Sequence, residues 1–549
     1  MTFYITTPLY YVNDLPHIGS AYPTIACDFV AGHYKQLGHD VAFLTGTDEH
    51  GQKIEKSAKE NSKKPQEHCD SVVSSFKDLW DLLEINNDYF VRTSDDSHKA
   101  YVSEFFRKVQ EKGDIYKGEY KGLYCVSCED FKLEKDLEED ENGELNCPIH
   151  KIPVEEYSQE NYFFALSKYE QKLKDYIAEN PDFISPSYRK NEVLGWLEEG
   201  LKDFPISRVG LSWGIDIPGD SDQKIYVWFD ALLGYHSGLG SDLSKFWQAS
   251  NEAATDELAV APVTHVIGKD ILRFHAVYWP AMLMSAGMPL PKKVFGHGFL
   301  TKDGMKMGKT LGNVVDPFDL VREFGADSVR FFFMREFPFG RDGDYSRQAM
   351  INRLNSDLAN NLGNLLNRSS NLMRKYFSAS ENLDTLVAYA SRNFTESQSE
   401  FLVKARAFTD SFSKSIQEIN IYQALESVFE SLSEANVEMS NIAPWTILKN
   451  ADPSDTETIQ AAFAVLYNNL ELCRRAAICL SALTPGLAQS IFKQLSLLDS
   501  DAELSRDALL TGLALFANFD NLLTSEQISN ILINKSKPVF ERIADKEPA

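Results

Sequence analysis

Basic charge is in short supply: 55 Lys and Arg stand against 80 Asp and Glu, a formal net charge of −25 over 549 residues. That balance argues against a protein that coats nucleic acid through bulk electrostatics. A polyanionic partner must instead meet locally basic patches, and its binding must depend steeply on salt, because each neutralised phosphate releases a condensed counterion. Long apolar runs are lacking too. The longest uncharged apolar stretch, Phe274 to Pro291, is interrupted by His275, Pro280 and Pro289, so a buried segment of a soluble protein is expected and no membrane role. Cysteine is scarce. Seven residues, an odd number in a chain of this length, do not make a disulfide framework and point to a reducing compartment. The opening Met1-Thr2-Phe3-Tyr4-Ile5 has neither a basic n-region, an Arg-rich leader nor a small-residue cleavage site, so a cytoplasmic location is expected. No convincing internal repeat or low-complexity segment is found.

What is present is periodic. Residues 3–7 read as a buried strand, and a loop follows through Pro16. Ile18, Tyr22, Ile25, Phe29, Val30 and Leu37 then recur at helical spacing, and Val41-Ala42-Phe43-Leu44 reads as a second strand. Strand, helix and strand in that order form the βαβ unit of a parallel sheet, whose ligands sit at the carboxyl ends of strands. Between Tyr116 and Lys224 the alternation gives way to Gly, acidic residues, clustered cysteines and short strands, which reads as an insertion. Strands are expected again at Ile225-Tyr226-Val227-Trp228, Val263 to Ile267 and Lys293 to Leu300, with a helix from Asp270 to Ser285. From Asn352 the apolar residues repeat at three and four, as in Leu354, Leu358, Leu362, Leu365, Leu372 and Met373. The predicted fold class is therefore α/β: a parallel-sheet domain over 1–115 and 225–300, split by an insertion over 116–224, then a linking region over 301–351 and an all-α domain over 352–549, ending in a frayed tail from Asp545.

Four segments carry chemistry. His17-Ile18-Gly19-Ser20 lies between a strand and a helix, where backbone N–H groups and the helix dipole favour an anion and glycine allows close approach. Taken alone, the histidine there is more often a helix cap or a packing residue. Thr301 to Asn313 follows a strand as a loop rich in Gly and Lys, in which Lys306 and Lys309 can neutralise a triphosphate. Taken alone, it is more readily a solvated loop. Cys125-Val126-Ser127-Cys128 and Cys147-Pro148-Ile149-His150 form two short chelating turns. Their three thiolates and one imidazole fill a tetrahedral Zn²⁺ shell, which implies one structural rather than catalytic zinc per chain; reduced cysteines without metal are the alternative. Cys27, Cys69, Cys473 and Cys479 read as packed thiols.

The first two segments together resemble the HIGH and KMSKS signatures of class I aminoacyl-tRNA synthetases. Ser20 stands where HIGH has its second His, and Gly308 and Thr310 stand where KMSKS has serines. The resemblance implies a Rossmann-like catalytic domain in which His17, Lys306 and Lys309 are catalytic. ATP, as its Mg²⁺ complex, would lie on His17, Gly19, Ser20, Gly268, Asp270, Lys306, Met307, Lys309 and Thr310. Ser20 can hydrogen-bond a phosphate but carries no charge, which puts the role of that signature histidine in question here.

Four further segments, Thr6 to Asn13, Thr45 to Gly51, Val227 to Tyr235 and Gly268 to His275, look like the substrate-pocket blocks of methionyl-tRNA synthetases. By that resemblance Leu9, Tyr11, Trp228, Ala231, Leu232, Tyr235, Ile271, Phe274 and His275 line a side-chain pocket, and Asp48 holds the α-amino group. An adaptable aromatic pocket suits a thioether, whose sulfur–ring attraction is about 0.3 to 1.5 kcal/mol. Asn364 and Arg368, one helical turn apart, resemble with Pro444 and Trp445 the family elements that read the CAU anticodon. The inserted region is similar to the single zinc knuckle of part of this family. The resemblance implies activation of L-methionine with ATP and its transfer to the 3′-terminal adenosine of tRNA(Met), initiator tRNA included. A monomer is expected, since no appended tRNA-binding barrel is seen. Leucyl, isoleucyl and valyl enzymes carry editing insertions longer than 116–224, and no thiol near Leu9 or Tyr11 could serve the active-site zinc of cysteinyl enzymes. A catalytically silent paralogue is the rival from another class.

Overall fold

The computed structural model describes all residues except 128, 129, 133, 141, 142, 150, 250–258, 303, 308–312, 512–518, 520, 536 and 545–549. The chain divides into two compact units, one comprising 1–27, 41–81 and 86–297 and the other 28–40, 82–85 and 298–549.

The first unit is built on a six-stranded sheet. In chain order its first half comes from β1 (Thr2–Tyr11), the helix α1 (Ile18–Gln36), whose residues from Asp28 on belong to the second unit, β2 (Asp40–Asp48), α2 (Pro65–Leu82), β3 (Tyr89–Arg92) and α3 (Asp96–Glu111). The insertion then contributes β4 (Ile115–Cys125), β5 (Asp130–Lys132) and β6 (Glu155–Phe164), an antiparallel sheet in which β4 lies between β5 and β6 and pairs with β6 from Ile115↔Phe164 to Tyr124↔Glu155. After β7 (Ile184–Ser185) and the short helix α4 (Val227–Leu232), the sheet is completed by β8 (Val260–Gly268), α5 (Trp279–Ala286) and β9 (Leu290–His297). The strand order is β3-β2-β1-β8-β9-β7, with β2 parallel to β3, β1 to β8, β8 to β9 and β9 to β7. The chain leaves β1 in one direction and resumes beside it at β8 to run the other way. A crevice therefore opens at the carboxyl ends of β1 and β8, the switch point at which doubly wound sheets bind ligands.

Burial follows from this topology. Parallel strands covered on both faces read as continuous apolar runs, and Phe3 to Thr7 and Val41 to Asp48 are buried without alternation. Beyond Thr7 the last four residues of β1 emerge half-buried at the crevice. Two sequence expectations are corrected. Ile225 to Trp228 is not a strand: the preceding strand ends at Ile225 and α4 begins at Val227. Its β-branched and aromatic residues instead plant a helix in the core, tertiary burial overriding strand propensity. The helix expected over Asp270 to Ser285 is broken into a 3₁₀ turn at Lys269–Ile271, a π-helical turn at Phe274–Tyr278 and α5, and π-turns of this kind concentrate at functional sites.

The second unit holds a small sheet of β10 (Leu300–Lys302), β11 (Met305–Lys306) and β12 (Gly343–Tyr345), in the order β11-β10-β12. Beyond Tyr345 the described residues contain helices and no strand. Asp327, on α6 (Ala326–Glu336), accepts the Leu487 N–H at 2.6 Å, and burial pushes its carboxyl up to about 6 against the opposing pull of that bond and of Arg330. A carboxyl raised in the folded state stabilises only while protonated: its contribution is complete below the unfolded value and is lost as pH rises through about 6. Asp327→Asn keeps the acceptor for Leu487. It should raise the melting temperature most at about pH 7.5, by less at about pH 5 and hardly at all at about pH 3.5, as heat scans at the three values will read.

Candidate active site

At the start of α1, His17 is an exposed residue whose Nδ1 accepts the Gly19 N–H at 2.9 Å, while its own backbone N–H donates to Ser20 Oγ at 3.1 Å. The imidazole thus caps the second N–H of the helix, while Ser20, its third residue, reaches back to the His17 N–H. Because Nδ1 accepts, the neutral ring carries its proton on Nε2 and presents that nitrogen as a donor. Gly19 is required by the close approach of the ring: a Cβ there would lie 2.6 Å from His17 Cε1. The Ser20 hydroxyl also donates to the His17 carbonyl at 2.8 Å and is buried. Ser20 thus turns inward and shapes the helix start.

Around the carboxyl ends of β1 and β8 an aromatic pocket is assembled. Trp228 stacks on Phe274 with ring centroids 3.9 Å apart and planes 6° from parallel. Tyr235 donates its hydroxyl to His275 Nε2 at 2.7 Å, and His275 Nδ1 donates to the Ile271 carbonyl at 3.0 Å, which fixes the tautomer. Burial pulls His275 down to about 4, opposed by the Ile271 bond, so its ring is neutral at physiological pH. Tyr4 reaches from β1 to donate to the Tyr235 carbonyl at 2.7 Å. Leu9 packs close over Gly234, and Tyr11 donates to the His50 carbonyl at 2.8 Å. Ala231 and Leu232 are buried, whereas Leu9, Tyr11, Trp228 and Ile271 are half-buried with surface still open. Asp48, 5% exposed, ends β2, and its carbonyl accepts the Val12 N–H at 3.2 Å. Gly268 ends β8, and a Cβ there would sit 2.5 Å from Asp270 Oδ1, so the carboxylate lies directly over its backbone. The residues expected to bind methionine thus gather in one region, with Gly268 and Asp270 at its β8 edge.

The turn after β2 is held by groups the sequence did not single out. Glu49, wholly buried, receives Arg92 through two bonds of 2.7 and 2.8 Å, Thr47 at 2.6 Å and Ser94 at 2.5 Å. Beside it, His50 Nδ1 and His98 Nε2 each lie 2.6 Å from a carboxylate oxygen of Asp230.

In the second unit, β10 and β11 form a hairpin pairing Thr301 with Lys306. Asp344 anchors it, accepting Thr301 Oγ1 at 2.7 Å and the Gly304 N–H at 2.8 Å, bonds that hold its carboxyl below the usual range. Met307 is half-buried; Lys309, Thr310 and the Lys306 side chain lie outside the described residues. In the helical part, Arg368 places its guanidinium 5.2 Å from the centre of the Trp445 ring, with Asn364 exposed one turn earlier and Pro444 opening the helix that carries Trp445. Cys125 and Cys147 are wholly buried, whereas Cys128 and His150 lie outside the described residues. Among the described residues no group of three or more His, Cys, Asp or Glu is arranged to hold a metal ion.

A family profile described as tRNA synthetases class I (M) matches residues 3–370. The chain is 48% identical over 498 residues to the chloroplastic/mitochondrial methionine–tRNA ligase of Arabidopsis thaliana, covering 90% of this chain and 77% of that one. It is 46% identical over 556 aligned residues to the methionine–tRNA ligase of a Nostoc strain, covering 99% and 97%. The chain belongs to the class I tRNA synthetases of the methionine type. Among solved structures, Mycobacterium tuberculosis methionyl-tRNA synthetase in complex with methionyl-adenylate superposes with a TM-score of 0.80 at 35% identity, over 95% of this chain and 97% of that one. The apo form of that enzyme gives 0.76 at 33%, over 99% of each.

Within a methionine-type synthetase the Tyr235–His275 bond has a plain consequence. With both groups neutral and committed to each other, the wall made by Trp228, Tyr235, Phe274 and His275 presents rings and no charge. Tyr235→Phe would leave His275 Nε2 buried without its donor, at a cost of about 1 to 3 kcal/mol. Part of that cost should appear as a methionine KM raised about tenfold, with the KM for ATP unchanged, when the two substrates are varied separately.

Proposed function

We propose that this synthetase activates L-methionine with MgATP to methionyl-adenylate and pyrophosphate, then transfers the methionyl group to the 3′-terminal adenosine of tRNA(Met), initiator tRNA included. The observation that carries the reading is the uncharged aromatic pocket of Trp228, Tyr235, Phe274 and His275 at the switch point of the sheet, with Asp48 ending the neighbouring strand. Asp48 is assigned the α-amino group, since a carboxylate is the natural partner of an ammonium. The carboxylate of methionine attacks the α-phosphorus in line, and pyrophosphate departs. His17 Nε2 donates to the phosphates, joined by Lys306 and Lys309, and these groups act by stabilising charge that develops during displacement. Gly268 and Asp270 are assigned to the adenosine, with Gly19, Met307 and Thr310 completing the ATP site. No covalent enzyme intermediate is needed. The terminal adenosine then attacks through a ribose hydroxyl, the 2′-hydroxyl by family analogy. Asn364, Arg368, Pro444 and Trp445 are assigned to the anticodon, where the Arg368–Trp445 stack offers a platform for unpaired bases.

The exchange of labelled pyrophosphate into ATP, with each standard amino acid in turn, tests the assignment: methionine alone should support it. A response to leucine alone, or none from a folded preparation, would defeat the reading.

One structural Zn²⁺ is assigned to Cys125, Cys128, Cys147 and His150. The two described thiols suit it. Cys125 ends β4, where its backbone pairs with that of Asp130 on β5, and the Cys147 carbonyl accepts the Lys151 N–H at 2.7 Å. Both sulfurs are buried beside short strands with little apolar core, where a closed thiolate site supplies folding energy. Mercurial titration of the purified protein should release about one zinc per chain, and Cys147→Ser should abolish that release. The chain is proposed to act as a cytoplasmic monomer; among the described residues no helix is long and apolar enough to cross a membrane.

A further inference from the structure

Asp230 is assigned to no substrate, yet it is wholly buried in α4, between Trp228 and the pair Ala231 and Leu232. A buried carboxylate persists only when paired, and this one is paired twice, by elements distant in sequence. Its Oδ2 meets Nδ1 of His50, in the turn after β2, at 2.6 Å, and its Oδ1 meets Nε2 of His98, on α3, at 2.6 Å. Both imidazoles are 1% exposed. Although burial opposes ionisation, His50 and His98 prevail and hold Asp230 at about 2, so both facing nitrogens are donors. His98 Nδ1 continues the chain to Ser237 Oγ at 2.6 Å. At the other end, His50 is anchored through its carbonyl by Tyr11 and packs edge-on against Trp213, whose indole N–H donates to the Glu49 carbonyl at 2.5 Å.

We propose that His98, Asp230 and His50 form a positioning chain that sets the spacing between α4, which carries Trp228 and Leu232, and the β2 turn, which follows Asp48, and so tunes affinity for the amino acid without touching it. The proposal rests on the pocket assignment above. Short bonds of this kind act as struts. Asp48 would hold one end of the substrate and α4 a wall around the other, so a shift of either misplaces both contacts together, and small misplacements at such sites are costly. No link of the chain runs to His17, Gly268 or Asp270. Loss of the strut therefore weakens methionine and spares ATP.

The geometry gives a test that a merely structural role would not pass. An Asn amide places its nitrogen near the position of histidine Nδ1, and a Gln amide near that of Nε2. His98 bonds through Nε2 and His50 through Nδ1, so the tolerated replacement differs between them. In full-length protein assayed by pyrophosphate exchange, with methionine and ATP varied separately, His98→Gln and His50→Asn should stay within about threefold of the parental methionine KM. His98→Asn and His50→Gln should raise that KM about tenfold or more, with the KM for ATP within about twofold of the parent. Melting temperatures should not follow this crossed pattern. Four variants with the parental methionine KM, or KM values for both substrates rising together, would overturn the positioning role while leaving the functional reading intact. A parent enzyme showing no methionine-dependent exchange would remove the pocket assignment and the positioning role with it.

Discussion

His17→Asn is expected to melt at the parental temperature and to lose about 10²- to 10³-fold in the rate of adenylate formation, the usual scale for deleting one preorganised donor. The separation follows from the two nitrogens of the ring. Nδ1 caps α1 through the Gly19 N–H at 2.9 Å, and Asn, among the preferred N-cap residues, replaces that acceptor with its side-chain oxygen. Nε2 has no counterpart in the shorter side chain. His17→Ala removes both functions and should add a stability loss of about 1 kcal/mol to the same kinetic defect. The checks are pyrophosphate exchange at saturating substrates and a thermal melt on the same preparations. Parental activity in the Asn variant would reduce His17 to a helix cap. Ser20, bonded to His17 at its carbonyl and its N–H, should behave differently: Ser20→Ala ought to move the melting temperature more than the rate.

Much of this arrangement was legible in the sequence because it is local or periodic. The buried run after Met1, the helical spacing from Ile18 and the run at Val41 became β1, α1 and β2, and glycine beside an exposed histidine at a strand-to-helix junction marked the helix start. The aromatic blocks were visible as blocks, although neither their shared crevice nor the neutral tautomer of His275 could be read from them. Ionic and hydrogen-bonded closure was hidden. Glu49 finds Arg92 43 positions away, and Asp230 finds His98 and His50 132 and 180 positions away. A pairing at such separation leaves no period, and a lone Asp in an apolar helix reads like any polar residue until its partners are placed. The helix expected over Asp270 to Ser285 failed for a related reason. Its spacing suits a continuous helix, but an extra residue per turn at Phe274–Tyr278 leaves the apolar pattern almost unchanged.

Asp28→Ala is expected to cost the second unit about 3 to 5 kcal/mol, because it strands buried charge rather than merely deleting a contact. Arg330 is wholly buried, and its guanidinium donates to Asp28 at 2.6 Å, to the Leu483 carbonyl at 2.7 Å, to Ala482 at 2.9 Å and to Leu83 at 3.1 Å. Arg506 meets the same carboxylate at 2.7 Å. One carboxylate thus bonds both cations, with Asp327 a further counter-charge to each, and burial together with Arg506 already lowers the hold of Arg330 on its proton, which Asp28 and Asp327 oppose. With alanine at 28 the two guanidiniums lose the carboxylate they share, and the carbonyl acceptors, being neutral, cannot cancel the charge. Adding Arg506→Leu to Asp28→Ala should therefore restore part of the loss, a sign that simple removal of favourable contacts would not produce. Urea unfolding followed by helical circular dichroism gives the three midpoints needed. A double variant less stable than Asp28→Ala would mean that the carboxylate acts through packing alone. Asp28 lies on α1, which runs unbroken from the His17 cap to Gln36. The same substitution should also lower the temperature at which exchange activity fails, and Arg506→Leu should recover that temperature in the same proportion as the midpoint.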